Sequence, residues 1–297
     1  MIDLNKMSTE QINDKTLDLD ILSIKDALLI MNEEDQKVPQ AVKKEIPQIE
    51  KAVRVVIEAF NKGGRLIYIG AGTSGRLGVL DAVECPPTFG TPPEMVVGLI
   101  AGGENAFVKA AEGAEDSTTM GVDDLKNINL TDKDVVVGIA ASGRTPYVIA
   151  GLNYANKVGC NTVGIACNKN SEVGAVSDIA IEIVVGPEVL TGSTRLKAGT
   201  AQKMVLNMIS TISMVGIGKA YKNLMVDVQM TNNKLKTRAE NIIMAATDVG
   251  RETAREVLKK AGGSVKVAIT MILLNSSAEE ARKRLTLTNG HIRKISL

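Results

Sequence analysis

The sequence is poor in several of the residues on which enzymes most often build their sites. Only 2% of its 297 residues are aromatic, tryptophan is absent, and His291 is the single histidine. One histidine excludes a histidine-rich metal site. With so few aromatics, the core has to be assembled from Val, Ile, Leu, Ala and twelve Met. The three cysteines, Cys85, Cys160 and Cys167, form no C-x-x-C pair, and read as reduced thiols of a cytosolic protein. A formal net charge of +1 supplies no global attraction to nucleic acid or to a membrane surface. No apolar run approaches the length of a membrane span, and no signal-type apolar stretch opens the sequence. A soluble, cytoplasmic protein is therefore expected.

What is abundant is aliphatic patterning. Hydrophobic residues make up 44% and charged residues 23%, enough for a sizeable core. Residues 1–20 are polar and irregular, and residues 21–61 carry helical spacing, with Ile49, Val53, Ile57 and Phe60 on one face. Short β-branched runs then alternate with helical stretches. The runs are 65–70, 95–100, 134–140, 162–166 and 179–185, and the helical stretches are 75–84, 105–113 and 146–158. Strands apolar on both faces, separated by helices, predict a doubly wound α/β domain with a five-stranded parallel sheet in the flavodoxin-like order 2-1-3-4-5. A long helix is expected over 200–219, a polar link over 227–238, and short helices over 241–248, 252–260, 264–274 and 278–285. The expected organisation is an N-terminal helical segment (1–60), the α/β domain (61–225) and a small C-terminal helical cap (226–297).

Gly70-Ala71-Gly72-Thr73-Ser74-Gly75 follows the first run and matches G-x-G-x-x-G. The dinucleotide reading fails its context, because no acidic residue ends the second strand and Pro86-Pro87 is expected to cut the following helix short. G-x-x-x-x-G-K-[ST] is absent as well. What remains is a turn that aims bare N–H groups at an anion, with Thr73 and Ser74 adding hydroxyls, or a turn whose glycines merely allow tight packing. A second small-residue loop, Ala141-Ser142-Gly143-Arg144-Thr145 before Pro146, favours the anion. In the expected strand order the first and third strands are neighbours at the reversal of winding, where ligands bind. Gly72, Thr73, Ser74, Ser142, Gly143 and Thr145 are thus the candidate phosphate-binding residues, with Ser142 and Thr145 spaced to cap the next helix and to bind.

These two loops resemble those of the sugar isomerase (SIS) phosphosugar-binding family, and the run Glu188 to Lys203 is similar to that family's later signature. The longer run GAGTSGRLGVLDAVECPPTFG, with AAEGAEDS at Ala110 to Ser117, resembles the narrower N-acetylmuramic acid 6-phosphate etherase family. That likeness extends over nearly the whole chain. The resemblance implies an SIS-type fold with a UBA-like C-terminal subdomain and Glu84 and Glu115 as the catalytic pair. The implied activity is a carbon–oxygen lyase reaction. It removes D-lactate from the C3 ether to give N-acetylglucosamine 6-phosphate, in amino sugar catabolism and peptidoglycan recycling.

The implied chemistry suits two carboxylates and needs no metal and no redox cofactor. An alkyl ether resists direct hydrolysis because alkoxide leaves poorly. In the opened sugar the C1 aldehyde acidifies the C2 proton, so a base can take it while an acid helps the C3 oxygen depart, after which water adds to the enal. The resemblance implies Glu115 as base and Glu84 as acid. One difficulty is geometric: Gly75 to Glu84 climbs about 13 Å along an ideal helix, farther than a hexose phosphate reaches. Three solutions stay open. The Ser142–Thr145 loop holds most of the phosphate, or a turn at Pro86-Pro87 returns Glu84, or a second subunit supplies one carboxylate. The last implies a homodimer with interfacial sites.

Other residues read more plainly. Asp81, three residues before Glu84 on the same helix face, is taken as a solvated helix residue in preference to a like charge that raises the Glu84 pKa; His291 is taken as surface or packing in preference to a ring-opening residue, and Cys85 as packing. Lys197 and Arg195 either neutralise phosphate or are solvated. Two other functions stay in view: a non-catalytic phosphosugar-sensing regulator and an SIS aldose–ketose isomerase.

Overall fold

Three helices lead into the sheet: α1 (Ile24–Asp35), α2 (Lys37–Lys44) and α3 (Ile46–Asn61). The computed structural model describes residues 7–109, 111–228 and 233–295. α3 buries Ile49, Val53 and Phe60 of the expected stripe, with Ile57 only half-buried and Val56 fully buried beside it. The sheet follows, with β1 (Leu66–Gly70), α4 (Gly72–Phe89), β2 (Val96–Ile100), α5 (Asn105–Val108), α6 (Met120–Asn127), β3 (Val135–Ile139), α7 (Pro146–Val158), β4 (Asn161–Ala166), α8 (Glu172–Ala175) and β5 (Ile179–Glu182). All five strands are parallel, in the order β2-β1-β3-β4-β5. That is the expected order. Every residue of β1 and β3 is buried, because helices cover both faces. Gly78 of α4 lies against Tyr68, while Gly151 of α7 lies against Ile69.

Beyond the sheet come α9 (Lys197–Gly216), a short hairpin of β6 (Ala220–Tyr221) and β7 (Leu224–Met225), then α10 (Asn233–Thr247), α11 (Arg251–Lys260), α12 (Val265–Leu274) and α13 (Ala278–Leu287). By backbone contacts the chain divides into one unit of Met1–Val83 with Glu94–Ser210 and another of Glu84–Pro93 with Thr211–Leu297. The second unit has its own apolar cluster, with Ala239, Ile243, Ala254, Val265, Ile269 and Ala281 buried together. Among the described residues, no helix is long and apolar enough to cross a membrane.

Several expected boundaries are corrected. α4 does not stop at Pro86; it runs on to Phe89 with Pro86 and Pro87 inside it. Proline removes N–H donors, but here the loss falls in the last turn, where Gly90, at φ 61°, donates its N–H to the Pro86 carbonyl at 2.9 Å. The expected link over 227–238 is helical from Asn233; residues 229–232 of it lie outside the described residues. Leu235, Ala239, Ile242, Ile243 and Ala246 of α10 fall on one helical stripe and join the second unit's cluster. The helix expected over 105–113 shrinks to α5, after which Gly113 (φ 73°) opens a 3-10 turn at Ala114–Asp116. β5 ends at Glu182 and not at 185 because its neighbour β4 ends at Ala166, opposite Glu182. α6 and the β6–β7 hairpin were not expected. α6 buries only Gly121 and Leu125, too little to leave a periodic signal.

Candidate active site

β1 delivers the chain to Gly70, and α4 begins two residues later at Gly72. The turn is tight. A Cβ on Gly75 would sit 2.6 Å from the Gly70 carbonyl oxygen and 2.7 Å from Ile100, so only glycine lets the first turn of the helix fold onto the strand end. This places the open N–H groups of α4 and the positive end of its dipole at the carboxyl edge of the sheet. Thr73 is half-buried and Ser74 is 7% exposed. The Ser74 hydroxyl donates to Oε1 of Gln202 on α9 at 3.0 Å.

The second loop leaves the adjacent strand end, since Gly70 pairs with Ile139 in the register of β1 and β3. Gly143 adopts φ 77°, and a Cβ there would strike the Ser171 side chain at 2.4 Å, so glycine is required on both counts. Ser142 Oγ accepts the Arg144 N–H at 3.3 Å. Thr145 occupies the N-cap of α7, yet its side chain makes no capping bond, so the expected cap is not formed. Asn168, 6% exposed, fastens this loop. Its Nδ2 donates to the carbonyls of Ala141 at 3.3 Å and Ser142 at 3.2 Å and to Thr9 Oγ1 at 3.0 Å, while its Oδ1 accepts the Ser8 hydroxyl at 2.9 Å.

Glu115 stands in the 3-10 turn opened by Gly113 and lines a cavity of about 210 Å³ with Gly72, Arg76, Ala101, Glu112 and Gly113. The structure therefore brings Glu115 and the start of α4 to one cavity. Arg76 anchors the segment leading to Glu115, donating to the Phe107 and Ala106 carbonyls at 2.8 Å each. Thr73, Ser74, Ser142, Gly143, Thr145 and Glu84 are not among the residues lining that cavity. Glu84 is exposed on α4, and the uninterrupted helix removes the option that a turn at Pro86-Pro87 returns it. Gly72 to Glu84 climbs about 18 Å along the axis.

Asp81 is not the solvated residue expected. It accepts the Tyr68 hydroxyl at 2.9 Å and the Ser210 hydroxyl at 3.1 Å. Burial pushes its carboxyl up to about 6, against the opposing pull of those two hydroxyls and of Lys203. Its folded-state pKa thus lies above the ordinary value of 3.8, so the folded protein holds the proton more tightly. Asp81 costs stability above pH 6 and that cost fades as pH falls toward 4. Asp81→Asn is expected to raise the unfolding free energy by about 1–3 kcal/mol at pH 8, with the gain vanishing near pH 4, in urea titrations at both pH values.

Lys197 also departs from both expectations, for it neither faces solvent nor stands free to meet phosphate. Its side chain is 1% exposed and its ammonium pairs with Glu34 at 2.7 Å. Arg195 is exposed. All three cysteines are buried thiols, and burial raises Cys160 and Cys167 to about 12. His291 is half-buried, its pKa lowered by burial and by Lys294. Sequence reasoning missed Glu112 as a cavity residue, Asn168 and Gln202. Gln202 lies in the run similar to the SIS signature, but nothing local marks its partner.

The regions around these loops match known family models. Residues 48–156 match the glucokinase regulatory protein N-terminal SIS domain and residues 115–212 the SIS domain. The chain is 62% identical to an N-acetylmuramic acid 6-phosphate etherase of Geobacillus sp. (strain WCH70), covering 98% of this chain and 99% of that one. It is 61% identical to N-acetylmuramic acid 6-phosphate etherase 2 of Lactiplantibacillus plantarum, covering 99% of each. Among solved structures, phosphoheptose isomerase GmhA from Neisseria gonorrhoeae is similar with a TM-score of 0.49 and 15% identity, over 64% of this chain and 98% of that one.

Proposed function

Because the chain belongs to the N-acetylmuramic acid 6-phosphate etherase family, we propose that its site works by elimination followed by hydration. The protein is an enzyme. It cleaves the D-lactyl ether of N-acetylmuramic acid 6-phosphate to N-acetylglucosamine 6-phosphate and D-lactate, in cell-wall amino sugar recycling. The observation that carries the mechanism is the cavity that Glu115 shares with Gly72 at the N-terminus of α4.

The phosphate sits at the N–H groups around Gly72, Thr73 and Ser74, with Ser142, Gly143 and Thr145 on the neighbouring loop as its second set of donors. Glu115 takes the C2 proton of the opened sugar. The electron pair forms the C2–C3 double bond as the C3–O bond breaks, and the lactate oxygen takes a proton from Glu84. Glu84, now a carboxylate, removes a proton from the water that adds to C3, and Glu115, its carboxyl proton exchanged with solvent, protonates C2. The sum is hydrolysis, performed by a carbon–oxygen lyase route that needs only two carboxyl groups with exchanged protonation states. Glu84 lies too far along α4 to serve the phosphate gripped at that helix's own start, so it serves the site of a second copy in a homodimer.

The test uses isotopic water. With N-acetylmuramic acid 6-phosphate in deuterium oxide, the product is expected to carry deuterium at C2; in ¹⁸O-water it carries the label at C3, with none in the released D-lactate. Glu115→Gln is expected to lose both lactate release and C2 exchange by about 10²–10⁴-fold. Lactate formed without C2 exchange, or labelled at its own hydroxyl, excludes this route. The same assay bears on the regulator and isomerase readings, since neither releases lactate.

A further inference from the structure

Resting on the reading that the cavity holding Glu115 is where the elimination takes place, we propose that Arg76 is a specificity-determining residue for the ether substituent. Its guanidinium binds the carboxylate of the D-lactyl group.

The substrate carries two anionic groups. One is the 6-phosphate, and the other is the lactyl carboxylate, which stands only three bonds from C3. A base that reaches the C2 proton therefore has that carboxylate for a neighbour. The cavity is already acidic, because Glu112 and Glu115 both line it. A further carboxylate brought into about 210 Å³ beside them is repelled unless a cation meets it. Among the described residues that line the cavity, Arg76 alone carries a positive charge.

The way Arg76 is held suits this duty. Its Nε and Nη2 donate to the carbonyls of Phe107 and Ala106 at 2.8 Å each. These bonds fix the plane of the guanidinium and occupy one edge of its rigid fork. They are its hydrogen bonds among the described residues, and none goes to a carboxylate. The N–H groups left over, on Nη1 and Nη2, form the end of the fork, an edge that meets a carboxylate with two parallel bonds. Arg76 is half-buried, and a side chain already fixed by two carbonyls loses little further freedom when it binds. Arg76 follows Gly72 by one turn of α4. Its tether to Ala106 and Phe107 draws it from the helix start, where the phosphate sits, toward the segment that leads to Glu115. Ala101, Ala106 and Ala111 line the same cavity, a small apolar wall that suits the lactyl methyl. N-acetylglucosamine 6-phosphate lacks the carboxylate and forgoes the contact, so the enzyme holds its substrate more tightly than this product.

The experiment measures kcat/KM for N-acetylmuramic acid 6-phosphate and for its lactyl methyl ester in wild type, Arg76→Met and Arg76→Lys. The inhibition constant of N-acetylglucosamine 6-phosphate is measured beside them. Wild type is expected to prefer the acid to the ester by about 10–100-fold, the value of hydrogen bonds to a charged group. In Arg76→Met that ratio should collapse to within about threefold of unity. Arg76→Lys, which keeps the charge and loses the fork, should fall between. The ratio cancels any loss that arises because the bonds to Ala106 and Phe107 are broken, since that loss strikes both substrates alike. The proposal is overturned if wild type does not distinguish acid from ester. It is overturned equally if Arg76→Met keeps the wild-type ratio, and a weakened N-acetylglucosamine 6-phosphate in that variant would then assign the guanidinium to the phosphate. The underlying reading is tested apart, by C2 exchange in Glu115→Gln. Exchange retained there with the ratio collapsed in Arg76→Met moves the base elsewhere and leaves the carboxylate contact standing. Exchange lost with the ratio preserved removes the contact alone.

Discussion

Two inactive chains, Glu84→Ala and Glu115→Ala, are expected to make an active hybrid. In an isologous dimer each subunit lends the same residue to its partner's site. In a hybrid carrying one chain of each kind, one site holds both glutamates and the other holds neither. Each homodimeric variant should therefore lose lactate release by about 10²–10⁴-fold, the usual worth of a general acid or base. The hybrid, purified through different tags on the two chains, should regain about half of the wild-type rate, one site of two. The reason lies in α4, which runs unbroken from Gly72 to Phe89, so Glu84 cannot bend back to the turn from which its own helix starts. A hybrid no more active than the mean of its parents would place both carboxylates within one chain.

The largest stability effect is expected at the buried ion pair. Lys197 and Glu34 are 1% and 0% exposed and lie 2.7 Å apart, and Lys37 meets the other oxygen of Glu34 at 2.6 Å. Glu34→Leu leaves the Lys197 ammonium buried without its carboxylate and is expected to cost about 3–5 kcal/mol. Lys197→Met should cost less, because Glu34 keeps Lys37. The double variant Glu34→Leu/Lys197→Met should recover most of the single loss, since neither charge is then stranded. Denaturant melts of the four proteins measure this, and a double variant as unstable as the sum of its singles would deny the coupling. The pH course has a definite sign. Burial alone would raise the Glu34 carboxyl, but hydrogen bonds from Lys197 and Lys37 outweigh it and hold the group at about 2, below its ordinary 4.5. The pair's contribution is present above pH 4.5 and is lost as pH falls toward 2. Between those values the wild type should lose stability faster than the double variant. Activity should fall with the pair as well, because Lys197 opens α9, and α9 holds Gln202 against Ser74.

Where local chemistry is sufficient, the residues alone mark the elements. Continuous apolar runs marked the five strands, and α7 begins at Pro146 and ends at Val158 as its proline and glycine punctuation indicated. Proline was also the source of the clearest error. Pro86 is a helix breaker in isolation, yet in α4 the two missing donors fall in a final turn that Gly90 closes. α9 starts at Lys197, earlier than its own pattern indicated, because the Glu188 carboxylate accepts the N–H groups of Lys197 at 3.0 Å and Ala198 at 2.9 Å from nine and ten residues upstream. The short α6 left no trace because its buried surface is too small to shape a pattern.

The sequence by itself determined the sheet and its order, the glycine turn that opens α4, and the runs that carry the family resemblance, which in turn implies Glu84 and Glu115 as the catalytic pair. These follow from neighbours within a few residues, where steric and hydrogen-bonding preferences act without knowledge of the rest of the chain. Tertiary structure alone decided who meets whom: Ser74 with Gln202 across 128 residues, Lys197 with Glu34 across 163, and Glu115 with the cavity at Gly72. The desolvation of Asp81 was likewise invisible until Tyr68 and Ser210 closed over it. A polar side chain carries no mark of its partner. That choice is made by burial, which strips away water and leaves each group only the donors and acceptors that the packed elements bring within reach.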